Sequence, residues 1–150
     1  MKKLFTLSLI LFFANALMAQ MVKNPVEWTA TSKKTADKTY EIHITAHIPE
    51  GWHIYSQNTP DGGPVPTAIT LTKNPLVIPQ GKVKEVGKLE KRHEPLFGVD
   101  VLQFSDKVDF VQTVKLKANV KTKVDVAVEF MVCDERQCLP PVTKKFTVAL

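Results

Sequence analysis

The chain has 150 residues, of which 44% are hydrophobic and 23% charged, a composition typical of one packed globular domain and not of a disordered or coiled-coil protein. Its net charge is +5, but the basic residues are spread along the chain without forming a stripe, which argues against nucleic-acid binding. Two cysteines, Cys133 and Cys138, are too few for a multi-disulfide scaffold or a four-cysteine zinc site.

The first 19 residues have the pattern of a secretory signal peptide. Lys2 and Lys3 precede an apolar run that ends near Ala14, and small residues follow. A membrane anchor is the alternative, but the run is short for a bilayer span, which needs roughly 20 residues. We expect cleavage after Ala19, with a second possible site after Ala16. Residues 20–150 would then form one soluble domain in the periplasm.

The rest of the chain has the pattern of short β-strands. Every second residue is apolar from Tyr40 to Ile48 and from Val124 to Val132, which is the period of a half-buried strand. Turn-rich segments separate such stretches, and no amphipathic helix pattern of useful length is present. This predicts an all-β, immunoglobulin-like antiparallel β-sandwich, with a barrel as the alternative. The other predicted strands are Val26–Ser32, Thr67–Thr72, Lys82–Leu89, Val99–Phe104, Phe110–Leu116 and Val142–Ala149.

The pair Cys133 and Cys138 lies between the last two predicted strands. A hairpin would place the two cysteines opposite each other, and an exported protein keeps such a disulfide. The buried residues of the preceding strand are even-numbered, so this parity places Cys133 on the opposite face. Pro140 and Pro141 remove two backbone donors, which is expected to keep this corner out of the sheet. We therefore predict an exposed disulfide loop.

Such a disulfide has two interpretations. Closing a loop of about six residues stabilises a fold by roughly 2 kcal/mol in the chain-entropy model, so the bond could be an inert staple. Short, exposed disulfides are also the more labile ones, and therefore the more exchangeable. The residues alone favour neither interpretation. A metal site needs more ligands than this pair supplies, so no metal is expected.

Two further segments contain candidate site residues. His53 and Tyr55 share one face of a short predicted strand, where His53 either borders a site or caps a sheet edge. The second segment is a loop whose apolar side chains either enter the core or form a flap that limits thiol access to the disulfide. The loop consists of Glu94, Pro95, Leu96, Phe97 and Gly98.

From about Val26 to Leu150 the chain resembles the N-terminal periplasmic domain of the thiol:disulfide interchange protein DsbD. The resemblance rests on the cysteine segment 132–141, VCDERQCLPP, on the aromatic segment 51–55 and on the loop 94–98. It implies an immunoglobulin-like fold. It also implies that the protein needs no cofactor and acts as the electron carrier of a protein-disulfide reductase system. By this resemblance Cys138 forms the mixed disulfide with a partner and Cys133 resolves it.

The same resemblance implies roles for the neighbouring residues. Leu96 and Phe97 would shield the cysteine pair until a partner displaces them, and Tyr55 and His53 would tune it. The electron donor would be a separate chain, either a membrane-embedded thiol reductase or a thioredoxin-like domain, and the acceptors would be periplasmic disulfide proteins. The second hypothesis is a non-catalytic binding module in which the disulfide only fixes a hairpin and the loop contacts a protein partner.

Overall fold

The computed structural model describes residues 24–150, which form eight β-strands and, within that range, no helix. The prediction of an all-β domain is confirmed. The predicted signal peptide, residues 1–19, lies outside the described part of the chain. Among the described residues there is no helix that could cross a membrane. The strands are β1 (Glu27–Ala36), β2 (Thr39–His47), β3 (His53–Tyr55), β4 (Ala68–Leu71), β5 (Val77–Glu94), β6 (Val99–Leu116), β7 (Lys123–Cys133) and β8 (Cys138–Ala149).

All strand pairs are antiparallel and belong to one curled sheet. Strand β6 pairs with β2, β3 and β5, while β7 pairs with β3, β4 and β8, so the short strand β3 connects the two halves. The outer strands β1 and β8 come together, and the hydroxyl of Ser32 donates a hydrogen bond to the carbonyl of Ala149 there. The curl brings the two halves face to face, as in an immunoglobulin-like sandwich.

The main core lies between these halves. The apolar residues of the two alternating segments, including Ile44 and Val128, are buried as their period predicts, except Tyr40, which is only half-buried. Trp28 of β1 joins the two halves, because its ring centroid lies 5.9 Å from that of Phe110 on β6 and 4.8 Å from that of Phe130 on β7.

The two predicted strands Val99–Phe104 and Phe110–Leu116 are one continuous strand, β6. A bulge lies between them: Gly87 of β5 opposes Val108 and Leu89 opposes Phe104, so two steps along β5 span four along β6. Asp106 in this bulge has a φ of 62°, in the left-handed region. On one side of the bulge β6 pairs with β3, and on the other side with β2. The bulge therefore lets one strand serve both halves of the fold.

The expectation that Pro140 and Pro141 keep their corner out of the sheet is wrong. Strand β8 pairs with β7 from its first residue, Cys138. The prolines lie in a bulge, because β8 takes three steps where β7 takes two, between Phe130 and Val132. Their missing N–H groups thus fall at an interruption of the hydrogen-bond ladder, which is where a strand tolerates proline.

Candidate functional site: a half-buried disulfide

Cys133 and Cys138 form a disulfide at the tip of the β7–β8 hairpin. Their Cα atoms lie 4.1 Å apart, the close spacing of directly opposed residues that share no ladder hydrogen bond. The four-residue turn between them is held by Asp134, whose carboxylate accepts hydrogen bonds of 2.8 Å from the backbone N–H groups of Arg136 and Gln137. These two bonds hold the pKa of the Asp134 carboxyl below its usual value. The turn therefore fixes the cysteines in register.

The prediction that the disulfide is exposed is wrong for Cys133, which is fully buried, at 0% exposure. The parity argument gives the correct face, since the even-numbered residues of β7 enter the main core and Cys133 does not. At this end of the sheet, however, the second face is also covered. Cys138 is only partly buried. The small cluster that covers Cys133 contains Tyr55, Val99, Val101, Met131 and Cys138.

The strand register places His53 beside this pair. His53 of β3 is directly opposite Cys133 on β7, and Cys138 of β8 is opposite Cys133 on the other side. Directly opposed residues project from the same face of a sheet. The imidazole, the buried sulfur and the more accessible sulfur therefore form a row across three strands. Tyr55, two residues after His53, projects from the same face.

His53, Tyr55 and Glu94 form a hydrogen-bonded cluster at the end of this row. The Tyr55 hydroxyl donates to Oε2 of Glu94 at 2.9 Å, and Nε2 of His53 lies 3.0 Å from the hydroxyl and 3.3 Å from the same carboxylate oxygen. Tyr55 is 0% and Glu94 5% exposed. The structure thus brings together three of the predicted site residues, from β3 and from the end of β5.

Burial sets the protonation of the two ring side chains. It lowers the pKa of His53, against the opposing effect of the nearby Glu94 carboxylate, so the imidazole is neutral at pH 7. Burial also raises the pKa of Tyr55, and its hydrogen bond to Glu94 adds to the shift. Tyr55 therefore stays a hydroxyl donor over the physiological range.

The loop between β5 and β6 is a tight turn anchored by Glu94. The Glu94 carbonyl accepts hydrogen bonds from the N–H groups of Gly98 at 2.8 Å and Phe97 at 3.2 Å, and its carboxylate accepts one from the N–H of Leu96 at 3.3 Å. Leu96 is 50% and Phe97 37% exposed, so the alternative that both enter the core is wrong. Val99, which follows the turn, packs against the disulfide cluster. The loop thus presents apolar side chains next to the site.

A cleft of about 600 Å³ borders the same cluster. His53 and Glu94 line it, together with Pro95 of the turn, Arg92 of β5 and Asp134 of the inter-cysteine turn. The imidazole and the carboxylate therefore face solvent on one side, although both are largely buried. No group of residues in the described range 24–150 has the composition of a metal site.

Sequence reasoning missed Val99, Val101 and Met131, the residues that bury Cys133. Their pattern indicates only that each lies on a strand, and nothing in it signals that a second face of the sheet is covered. It also missed that Glu94 is the anchor of the site, because its partners are 39 and 41 residues away in the chain.

Residues 20–150 match the model of one protein family, thiol:disulfide interchange protein DsbD, N-terminal. A comparison with curated proteins finds no significant match. Among solved structures, the chain is similar to the DsbD N-terminal domain of Neisseria meningitidis in the reduced form, at 15% identity and a TM-score of 0.54, over 91% of this chain and 93% of that one.

Two other structures are similar. One is the N-terminal periplasmic domain of ScsB from Proteus mirabilis, at 17% identity and a TM-score of 0.52, over 87% of this chain and 48% of that one. The other is a chain in the complex between the DsbD N-terminal and PilB N-terminal domains from Neisseria meningitidis, at 16% identity and a TM-score of 0.51, over 88% and 91%. These matches confirm the predicted immunoglobulin-like fold, and the family match confirms the predicted resemblance.

Proposed function

We propose that this chain, which belongs to the family of DsbD N-terminal domains, carries electrons between periplasmic proteins by thiol–disulfide exchange at Cys133 and Cys138. One observation supports this most directly: the two sulfurs of the disulfide differ in accessibility, since Cys133 is fully buried and Cys138 is not. An exchange protein needs one sulfur that a partner can reach and a second that attacks only within the chain.

The difference in accessibility supports one order of steps. A partner thiolate attacks Sγ of Cys138, the disulfide breaks, and its electron pair leaves on Sγ of Cys133. A second partner thiolate then attacks the partner sulfur of this mixed disulfide and releases Cys138. The partner dithiol is oxidised, the protein disulfide is reduced, and two protons accompany the two electrons.

Delivery of the electrons follows the reverse order. The Cys138 thiolate attacks the disulfide of an acceptor protein, and one acceptor sulfur leaves as a thiolate. Cys133 then attacks Sγ of Cys138, so that the protein disulfide forms again and the acceptor leaves as a dithiol. Because Cys133 is buried, this intramolecular step is its natural role.

The partners we propose are a membrane-embedded thiol reductase or a thioredoxin-like domain as donor, and periplasmic disulfide proteins as acceptors. Support comes from the Neisseria meningitidis structure in which a DsbD N-terminal domain forms a complex with a PilB N-terminal domain. The predicted signal peptide and the similarity to the N-terminal periplasmic domain of ScsB support a periplasmic location.

Within this function, Leu96 and Phe97 form a cap that limits access of stray thiols to the pair. Both side chains are exposed, on a turn whose next residue, Val99, packs against the disulfide cluster. Exchange rates depend on access to the sulfur as well as on its thiolate character. A Phe97→Ala variant should therefore react faster with small thiols than the unmodified protein.

The reduction potential of the disulfide tests the proposal. A value between about −120 and −270 mV, measured in graded thiol buffers, is the range of exchange proteins and supports a carrier. A value below about −300 mV indicates a structural staple and favours the binding module, in which the exposed Leu96 and Phe97 contact a partner.

Single-cysteine variants test the assigned order. Cys133→Ser leaves the accessible thiol and should trap a mixed disulfide with a thioredoxin-like partner or a small disulfide probe. Cys138→Ser leaves only the buried thiol and should trap little. Equal trapping by both variants would contradict the assigned order.

A further inference from the structure

We infer that His53 takes up a proton when the disulfide is reduced and balances the charge of the Cys133 thiolate. This inference rests on the proposed function, since it concerns the same disulfide. It adds the titration of a histidine to the pH dependence of the cysteine pair itself.

Attack on Cys138 leaves the electron pair of the broken bond on Cys133, which is then a thiolate at a position with 0% exposure. A buried, unpaired anion is costly, and its neighbours in the cluster, Val101 and Met131, offer it no charge. The thiolate therefore needs either a proton or a nearby cation.

His53 is the titratable side chain that the register places beside this sulfur. It is directly opposite Cys133 and projects from the same face, while Cys138 occupies the opposed position on the other strand. An imidazole titrates near neutral pH, so it can change charge during the reaction.

Other groups around the imidazole decide when it is protonated. Glu94 of β5 and Asp134 of the inter-cysteine turn favour the imidazolium, and Arg92 of β5 disfavours it. Tyr55 faces the ring with a neutral hydroxyl. In the oxidised protein, burial outweighs the carboxylates and leaves the ring neutral. A new thiolate adds one more negative charge, which shifts the balance towards protonation.

The proton has a path from solvent. His53 and Glu94 both line the cleft of about 600 Å³, so a proton can reach the imidazole without passing the apolar cluster. On reduction the electron pair resides on Cys133 and the proton on His53. When Cys133 attacks Cys138 again, the thiolate disappears and His53 returns its proton through the cleft.

NMR titration of the histidines in the oxidised and in the dithiothreitol-reduced protein tests this inference. Of the four histidines in the chain, His43 and His47 lie on β2 outside the cleft lining and serve as internal controls. We expect the pKa of His53 to rise by about one unit on reduction, the usual scale of environmental shifts, while the signals of His43 and His47 respond to pH alike in both states. An unchanged His53 pKa overturns the inference.

A His53→Gln variant provides the second measurement, because an amide can still bond to Tyr55 and Glu94 but cannot titrate. We expect the equilibrium constant for reduction by dithiothreitol, taken as wild type over variant, to rise about tenfold towards acid pH, the factor equivalent to one pKa unit. His47→Gln, at an exposed position, is the matched control. A ratio for His53→Gln that does not vary with pH overturns the inference.

The two proposals fail separately. If the wild-type disulfide is not reduced within the potential range of exchange proteins, the proposed function fails whatever His53 does. If it exchanges normally and the titration of His53 is the same in both redox states, only the role of His53 is wrong.

Discussion

Replacing Tyr55 with Phe removes one hydroxyl from the centre of the site and leaves the ring in place. The Tyr55 hydroxyl is fully buried and donates to the Glu94 carboxylate at 2.9 Å. A hydrogen bond to a charged group contributes about 1.5–3 kcal/mol. Because Glu94 is only 5% exposed, water can approach its carboxylate only from the cleft and compensates for the lost donor in part. We therefore expect Tyr55→Phe to lower the free energy of unfolding by about 2–3 kcal/mol.

Urea denaturation of the oxidised protein at pH 7 measures this loss. The chain has one other tyrosine, Tyr40, which is only half-buried, so Tyr40→Phe is the matched control and should change stability by less than about 1 kcal/mol. In a double-mutant cycle, Tyr55→Phe and Glu94→Gln should couple by about 1 kcal/mol or more, since the two side chains are in direct contact. Additive losses, or a loss for Tyr55→Phe within about 0.5 kcal/mol of zero, would refute the reasoning.

Three other predictions concern the disulfide, the bulge between β5 and β6, and the inter-cysteine turn. Replacing Cys133 and Cys138 by Ala should abolish exchange yet lower stability by only about 2 kcal/mol, the chain-entropy term of a short loop, because alanine brings no unpaired hydroxyl to the buried position of Cys133; unfolding of this variant at room temperature would contradict it. Gly87→Ala should cost about 1–3 kcal/mol in a denaturation experiment, because a Cβ there would lie 3.0 Å from a backbone oxygen of β6, whereas Val86→Ala, at 60% exposure, should be nearly neutral. The pKa of Asp134 is lower in the folded than in the unfolded protein, where it is about 3.9, so the stabilisation by its carboxylate is fully present above that unfolded pKa and is lost as the pH falls through the folded pKa. The stability difference between wild type and Asp134→Ala should therefore shrink in acid. A difference that grows in acid would contradict this direction of the pKa shift.

Much of the fold follows from local periodicity. Strands β2 and β7 alternate over nine and eleven residues, long enough for a two-residue period to be recognised. Strand β3 has only three residues, which is too few to show a period, and only the alternation of His53 and Tyr55 indicates it. The two predicted halves of β6 could not be joined in advance, because the polar residues around Asp106 resemble a turn and lie in a bulge.

The site was predictable only where its parts are adjacent in the chain. The position of the disulfide follows from a hairpin with cysteines on both sides of a short turn, so the sequence predicts the pairing of Cys133 with Cys138. The contact of Glu94 with Tyr55 and His53 depends on the pairing of both β5 and β3 with β6. No local sequence pattern contains this long-range pairing. This is the general reason why long-range polar clusters escape sequence reasoning, whereas strand periods do not.

The asymmetry between the two sulfurs has its origin in the curl of the sheet. A hairpin makes Cys133 and Cys138 neighbours but does not decide which of them is covered. Cys133 is covered because Tyr55 of β3 and Val101 of β6 reach the same end of β7. They reach it because β6 pairs with β3 on one side of the bulge at Asp106 and with β2 on the other. A change that straightens β6 should therefore expose both sulfurs alike, and the protein would lose the distinction between an attacked and a resolving cysteine before it loses the disulfide itself.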